Sequence, residues 1–348
     1  MSAPRRRLTA ERVTLAHGGG GRAMHDLIED VFLAAFDGPP LRALEDQARL
    51  VPPAALAEGG EIAFTTDGFV VDPIEFPGGD VGSLAVNGTV NDLAVGGARP
   101  LWLSCAVILE EGLEVAVLRR VAASMARAAA AAGVAIVTGD VKVVGRGAAD
   151  GVFVTTSGIG VIPAGRRLGA ARVRPGDVAL VSGVLGDHGA AILNARGDMA
   201  LESDVRSDCA ALNGLMEAVL AAAPGLRCAR DATRGGLASA LNEIAEAAGC
   251  GVALEETALP LRPEVRGVCE ILGLDPLYLA NEGTLVAFAP EAEAAAALAA
   301  MRSVPEGRGA CIVGRAVAGP PGEVVMETSL GGRRMVDMLV GEQLPRIC

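Results

Sequence analysis

Along nearly its whole length the chain alternates short apolar runs with segments whose apolar residues recur at helical spacing. A β-like Val13-Thr14-Leu15 leads into the run His17-Gly18-Gly19-Gly20-Gly21, and RAMHDLIEDVFLAAF then predicts an amphipathic helix. EIAFTTD and FVVD predict strands, DVGSLAVNGTVNDLAVGG a helix of small residues, and PLWLSCAVIL a buried strand. A helix over 114–132, the apolar VAIVTGD and the strand GVFVTTSGIGVI complete a mixed α/β first half. The second half opens with DVALVSG, continues through helices near 187–197, 207–223 and 234–248, and then alternates the strands GVALEE, GTLVAF, ACIVGR and GEVVME with helices. No repeat at the level of residues links the halves.

Between them PAGRRLGAARVRPGD concentrates Pro, Gly and Arg, which marks a boundary. The expected organisation is a glycine-rich leader with the first helix (1–40), an N-terminal domain (41–162), a linker (163–176), a C-terminal α/β domain (177–340) and a tail (341–348). The tail, GEQLPRIC, offers little to pack and is expected to be mobile. A length of 348 residues suits two domains, and 51% hydrophobic against 21% charged residues suffices for a sizeable core.

A net charge of −12 disfavours nucleic acid and anionic membranes as partners, because both repel an acidic surface. The apolar runs are broken by Arg127, by Asn91 with Asp92, and by Glu291 with Glu293, so no membrane span is expected. The basic start is followed by HGGGG instead of an apolar stretch, so the expected compartment is the cytoplasm. Seven cysteines without a C-x-x-C pair, and three histidines, fit neither a zinc site nor a disulfide framework. Any metal is expected to be a hard ion on carboxylates.

Asp67, Asp80, Asp92, Asp140 and Asp231 each adjoin an apolar run close to Gly or Thr, where a strand or helix hands a polar side chain to a cleft. Singly each could be a turn or cap residue; five together point to metal and nucleotide. Lys142 is the only lysine among 30 basic residues, which suggests a compact ammonium on a phosphate or a tunable proton-transfer group, against chance retention. No G-x-x-x-x-G-K-[ST] exists, which excludes a P-loop. Gly18, Gly19, Gly20 and Gly21 read either as a flap whose N–H groups close over phosphates or as a disordered leader. Glu282 in Asn-Glu-Gly either places a base in a cleft or is an ordinary turn residue, and His188 in LGDHGA either contacts a ligand or starts a helix. Cys348 is not four residues from the end, so prenylation does not explain it; a thiol there can carry an acyl group between sites.

The segments HGGGG, FTTDGFVVDP, NGTVNDLAVGGARP, LSCAVILEEGL, AIVTGDVKVV, LGDHGA, RDATRGG, VRGVCE, ANEG and PRIC resemble the HypE family of hydrogenase maturation factors, over essentially the whole chain from Val13 onward. TTD, ND and DATRGG also resemble the wider aminoimidazole ribonucleotide synthetase and selenophosphate synthetase superfamily. The resemblance implies two similar mixed α/β domains and a homodimer whose N-terminal domains pair their sheets into a β-barrel. It implies an ATP-dependent dehydratase making the cyanide ligands of [NiFe]-hydrogenase. Cys348 would be carbamoylated by HypF, ATP would phosphorylate the amide oxygen, loss of phosphate would leave a thiocyanate, and cyanide would pass to iron on a HypC–HypD complex. Asp67, Asp92, Asp140, Lys142 and Asp231 would then bind the nucleotide with the glycine run. Mg²⁺ would sit on Asp67, Asp80, Asp92 and Asp231, and Lys142, Glu282 and His188 would act with Cys348. The alternatives are a small-molecule synthetase of the selenophosphate type, which leaves Cys348 unexplained, and a thiol carrier without catalysis.

Overall fold

The computed structural model describes residues 8–36, 38–42, 47–48, 50–197, 204–341 and 344–348. Helix α1 (Arg22–Leu27) continues through a π-helical segment, Ile28–Leu33, and follows a short 3₁₀ turn, Leu15–Gly18, where a strand was expected. The N-terminal half is built on four long strands, β1 (Glu61–Phe69), β2 (Arg99–Glu110), β3 (Ala135–Val144) and β4 (Val152–Ile162). They lie side by side in the order β1-β4-β2-β3, so β1 and β3 form opposite edges. Only β2 and β3 run parallel, joined by the crossover helix α3 (Val115–Ala132), as a parallel pair requires.

Helix α2 (Val81–Val95) crosses the middle of the molecule with all but Ser83 and Asp92 buried. Its Ala, Gly and Val composition allows this. At Gly88 a Cβ would come within 2.8 Å of the Phe69 ring, so the helix can approach β1 only without a side chain there. Because α2 is enclosed on every side, the few polar groups it carries are held by specific partners.

The C-terminal half follows with β5 (Val178–Val181), α4 (Asp187–Arg196), α5 (Asn213–Ala222), β6 (Cys228–Asp231), α6 (Gly236–Ala248), β7 (Gly251–Glu255), α7 (Pro263–Leu272), β8 (Leu285–Ala289), α8 (Glu291–Arg302), β9 (Cys311–Val317), β10 (Val324–Glu327) and β11 (Arg333–Met335). These strands form one sheet in the order β11-β10-β7-β9-β5-β8-β6, with separate apolar cores on its two faces. The edge strand β6 ends at Asp231, paired with Leu285 at the start of β8, and so faces α2 across the gap between the halves. Residues expected to lengthen α5 back to 207 instead form a loop before Asn213. Among the described residues no helix is long and apolar enough to cross a membrane.

The chain end differs from its expectation. Ile347 is buried in the N-terminal core and pairs antiparallel with Val71 just beyond β1. A tail with one well-placed apolar residue thus finds a partner in a distant strand end, which composition alone does not reveal.

Candidate active site

Three elements bring carboxylates to the gap between the halves: β1 carries Asp67, α2 carries Asp92 and β6 ends on Asp231. Asp67 accepts a hydrogen bond from the Gly68 amide, and Asp92 accepts one from the Thr65 hydroxyl at 2.9 Å, which ties α2 to β1. Asp231 is pushed up to about 7, first by desolvation and then by the charges of Asp92 and Asp67. Burial also raises Asp92 and Asp67 above the ordinary carboxylate range. A cavity of about 600 Å³ opens here, lined among others by Thr65, Asp92, Asp231, Arg234 and Ser239. Its size is that of a small-molecule site.

Glu282 lies beneath this group, fully enclosed. Its Oε1 is buried without a hydrogen-bond partner, and desolvation together with Asp208, Asp231, Asp67 and Asp92 pushes its carboxyl well above the usual range. The turn that carries it is fixed from below. Asp208 accepts from the amides of Glu282 at 2.9 Å and Gly283 at 3.0 Å, while Asn91 donates to the Glu282 carbonyl. Gly283 is required for this fit, since a Cβ would stand 1.8 Å from the Asp208 carbonyl oxygen.

Cys348 reaches the same place from the tail. Its thiol is pushed up to about 12 by burial and by Glu282, and Arg234 donates to Sγ at 3.6 Å. Arg234 also borders a smaller cavity, about 290 Å³, lined by Ile347 among others. A carboxyl held toward its protonated form, an arginine and a thiol next to a cluster of acidic oxygens can together polarise, protonate and deprotonate a group carried on sulfur.

Other expected residues lie elsewhere. Asp80 is the N-cap of α2: it accepts from the Ser83 amide and the Ser124 hydroxyl. It is twelve residues from Asp92 along one helix, about 18 Å, so the two cannot share an ion. Asp140 and Lys142 pair with each other at 2.5 Å on β3, the edge farthest from β1 and about 14 Å across the sheet. The exposed glycine run also belongs to that edge, with Gly18 against Val143. His188 touches no reacting atom. Its ring is buried, Nε2 donates to the Ile347 carbonyl at 2.7 Å, and Nδ1 accepts from Ser207.

The donor set at the cleft is all hard oxygen, which suits Mg²⁺. Among the described residues, however, no three His, Cys, Asp or Glu side chains converge on one point. The arrangement therefore fits an ion that takes one or two carboxylates and completes its shell from phosphate and water.

Comparison with known proteins agrees with this architecture. Residues 45–162 match the family model described as AIR synthase related protein, N-terminal domain, and residues 174–327 its C-terminal domain. The carbamoyl dehydratase HypE of Rhodobacter capsulatus is 73% identical over 341 residues, 98% of this chain and 99% of that protein. The chain belongs to the HypE family of carbamoyl dehydratases. It is accordingly an enzyme of the carbamoyl dehydratase class. A crystal structure of HypE in complex with ATP superimposes with a TM-score of 0.91 at 51% identity, covering 96% of this chain and 99% of that one. The structure of a HypE–HypF complex does so with a TM-score of 0.78 at 43% identity, covering 90% and 99%.

Within this HypE fold, sequence reasoning passed over Asp208, Asn91 and Arg234. Arg234 stands inside the quoted RDATRGG, three residues from Asp231, and that proximity was a usable signal. Asp208 offered none, because its role depends on a loop meeting a turn about 75 residues away.

Proposed function

We propose that this chain dehydrates a carbamoyl group carried on its own Cys348, using ATP, to leave a thiocyanate that supplies cyanide to the iron of [NiFe]-hydrogenase. The observation that carries this reading is the contact of Cys348 with Arg234, which itself lines the carboxylate-bearing cleft, within electrostatic reach of Glu282. In the reaction the carbamoyl oxygen takes the terminal phosphoryl group of ATP, releasing ADP. The C–O bond then breaks, the oxygen leaves with phosphate, and the nitrogen gives up two protons as the C≡N bond forms. Glu282 in its ionised form is placed to accept one of these protons, and the departing phosphate takes the other. Arg234 offsets charge developing on the oxygen.

Mg²⁺ would be held by one or two of Asp67, Asp92 and Asp231, with phosphate and water completing its shell, and would neutralise the triphosphate. A cluster this acidic would otherwise repel the nucleotide. HypF as carbamoyl donor and a HypC–HypD complex as cyanide acceptor belong to the same proposal; a relative was solved as a HypE–HypF complex.

The homodimer completes it. Lys142, Asp140 and the glycine run occupy one edge of the N-terminal sheet, while Asp67 occupies the other. On β1, Ile62 and Phe64 are 64% and 69% exposed. A second copy closing the two sheets into a barrel would cover those apolar side chains and bring its Lys142 to the cleft of the first.

The test is the intact mass after incubation with HypF and its carbamoyl donor, and again after Mg·ATP, with cleavage after Glu342 to isolate the tail peptide. A carbamoyl gain on that peptide followed by loss of one water is the expected result. A gain without ATP-dependent water loss would leave only a carrier, and no gain would overturn the reading.

A further inference from the structure

The tail is held by main-chain contacts as well as by the buried Ile347 side chain. Two ladder bonds join it to the strand end beyond β1, Val70 N–H to the Cys348 carbonyl at 3.2 Å and Asp72 N–H to the Arg346 carbonyl at 3.1 Å. The ladder has only two bonds and its register rests also on Ile347: a slip of one residue would lift that side chain from the core and turn Cys348 to the opposite face. Two side chains of α4 supply what the ladder lacks. Arg196 spans both strands: Nε donates to the Asp72 carbonyl at 2.9 Å, and one terminal nitrogen donates to the carbonyls of Pro345 at 2.5 Å and Arg346 at 2.8 Å. His188, eight residues earlier on the same helix, holds the Ile347 carbonyl. Arg346 itself has φ of +53°, a left-handed conformation that a non-glycine residue rarely adopts. Arg196 grips the carbonyl on each side of that strained residue, and ion pairs to Asp72 and Asp150 hold its side chain.

We propose that Arg196, acting with His188, is a positioning residue that sets the register of the docked tail and thereby delivers the Cys348 sulfur to Glu282. This deepens the function proposed above and rests on it for its catalytic consequence, but the latch itself is measurable without turnover. Because Arg196 reads two backbone oxygens of the tail and one of the strand end it pairs with, what it recognises is the main-chain shape of the docked pair. A lysine keeps the charge but cannot bracket two strands from one rigid fork.

The experiment compares wild type with Arg196→Ala and Arg196→Lys. Iodoacetamide labelling of Cys348 is read on the tail peptide, alongside melting temperature, ATP affinity and the single-turnover rate of ATP-dependent water loss from the carbamoylated protein. Loss of a charge-assisted bracket should speed labelling about tenfold and slow dehydration about tenfold in Arg196→Ala, with ATP affinity within about twofold of wild type. Arg196→Lys should fall between, and it carries the comparison if the alanine variant melts early. Labelling at the wild-type rate in both variants would overturn the latch. Faster labelling with unchanged dehydration would overturn the register role. Absence of water loss in wild type would refute the proposed reaction instead, and the labelling rates would still decide the latch.

Discussion

His188 donates to the carbonyl of Ile347 at 2.7 Å from a fully buried ring, so an imidazole expected among the reacting groups serves to seat the tail. Burial pushes this imidazole down to about 4, which the bond to Ile347 only partly offsets. The neutral form is therefore the one that holds: Nε2 carries the proton and Nδ1 accepts from Ser207.

A pH dependence follows. Between about 4 and the ordinary value of 6.5, the unfolded or undocked chain binds a proton at His188 that the native one does not, so stability rises with pH through that window and is lost as pH falls. The shift corresponds to about 3 kcal/mol at most. Urea unfolding from pH 7 to pH 4 should show this slope in wild type and a flatter one in His188→Gln. An equal slope in both would assign the acid sensitivity to other groups.

The carboxylate cluster predicts the opposite sign. Asp231 sits near 7 because desolvation, Asp92 and Asp67 favour its protonated form, so the native state binds more protons than the unfolded one between about 4 and 7. Its contribution to stability is present at low pH and fades as pH rises through 7. Asp231→Asn should melt higher than wild type at pH 8, by on the order of 1–2 kcal/mol after allowance for solvent screening. It should also lose the stabilisation that Mg·ATP gives wild type, about 2.7 kcal/mol at a hundredfold excess over Kd. A variant that melts lower and still responds to Mg·ATP would contradict both the charge repulsion and the binding role.

The alternation of strands and helices was legible because most strands carry an apolar run and α3 is strongly amphipathic. That Asp67, Asp92 and Asp231 come together was legible for a related reason: each adjoins an apolar run, and β1, α2 and the end of β6 meet in the gap between the halves. Asp80 misled because a helix N-cap and a cleft carboxylate look alike in one dimension, and the short tail misled because its anchor, Val71, lies across the fold. The distance between Lys142 and Asp67 was invisible, since strand order within a sheet is set by crossover connections and leaves no mark on either strand.

Asp208 makes a separate prediction. It is the acceptor for two consecutive amides in the turn that carries Glu282. Asp208→Ala would leave those buried donors unsatisfied and release the turn, lowering turnover about tenfold to a hundredfold while ATP affinity changes little. Gly283→Ala should reach the same end by steric means, costing on the order of 2 kcal/mol or more of stability as the turn lifts off the Asp208 carbonyl. Hydrogen exchange at the amides of 282 and 283 reports the turn directly; unchanged protection in Asp208→Ala would remove the argument.

The opposite-edge placement of Lys142 and Asp67 can be tested by mixing subunits. If Lys142 of one copy serves the Cys348 of the other, Lys142→Ala and Cys348→Ala homodimers are both inactive. A heterodimer of the two then has one complete site, made from the lysine of the Cys348→Ala subunit and the thiol of the Lys142→Ala subunit. Differently tagged chains, co-expressed and purified through both tags, should dehydrate carbamoyl-Cys348 at about half the wild-type rate per dimer, since one of two sites survives. If the lysine acted within its own chain, the same heterodimer would have no intact site and no activity, because neither subunit would hold both groups. The sheet order β1-β4-β2-β3 separates Lys142 from Asp67 by three strand spacings, a distance no side chain spans, so the recovered half is the outcome expected of the proposed dimer.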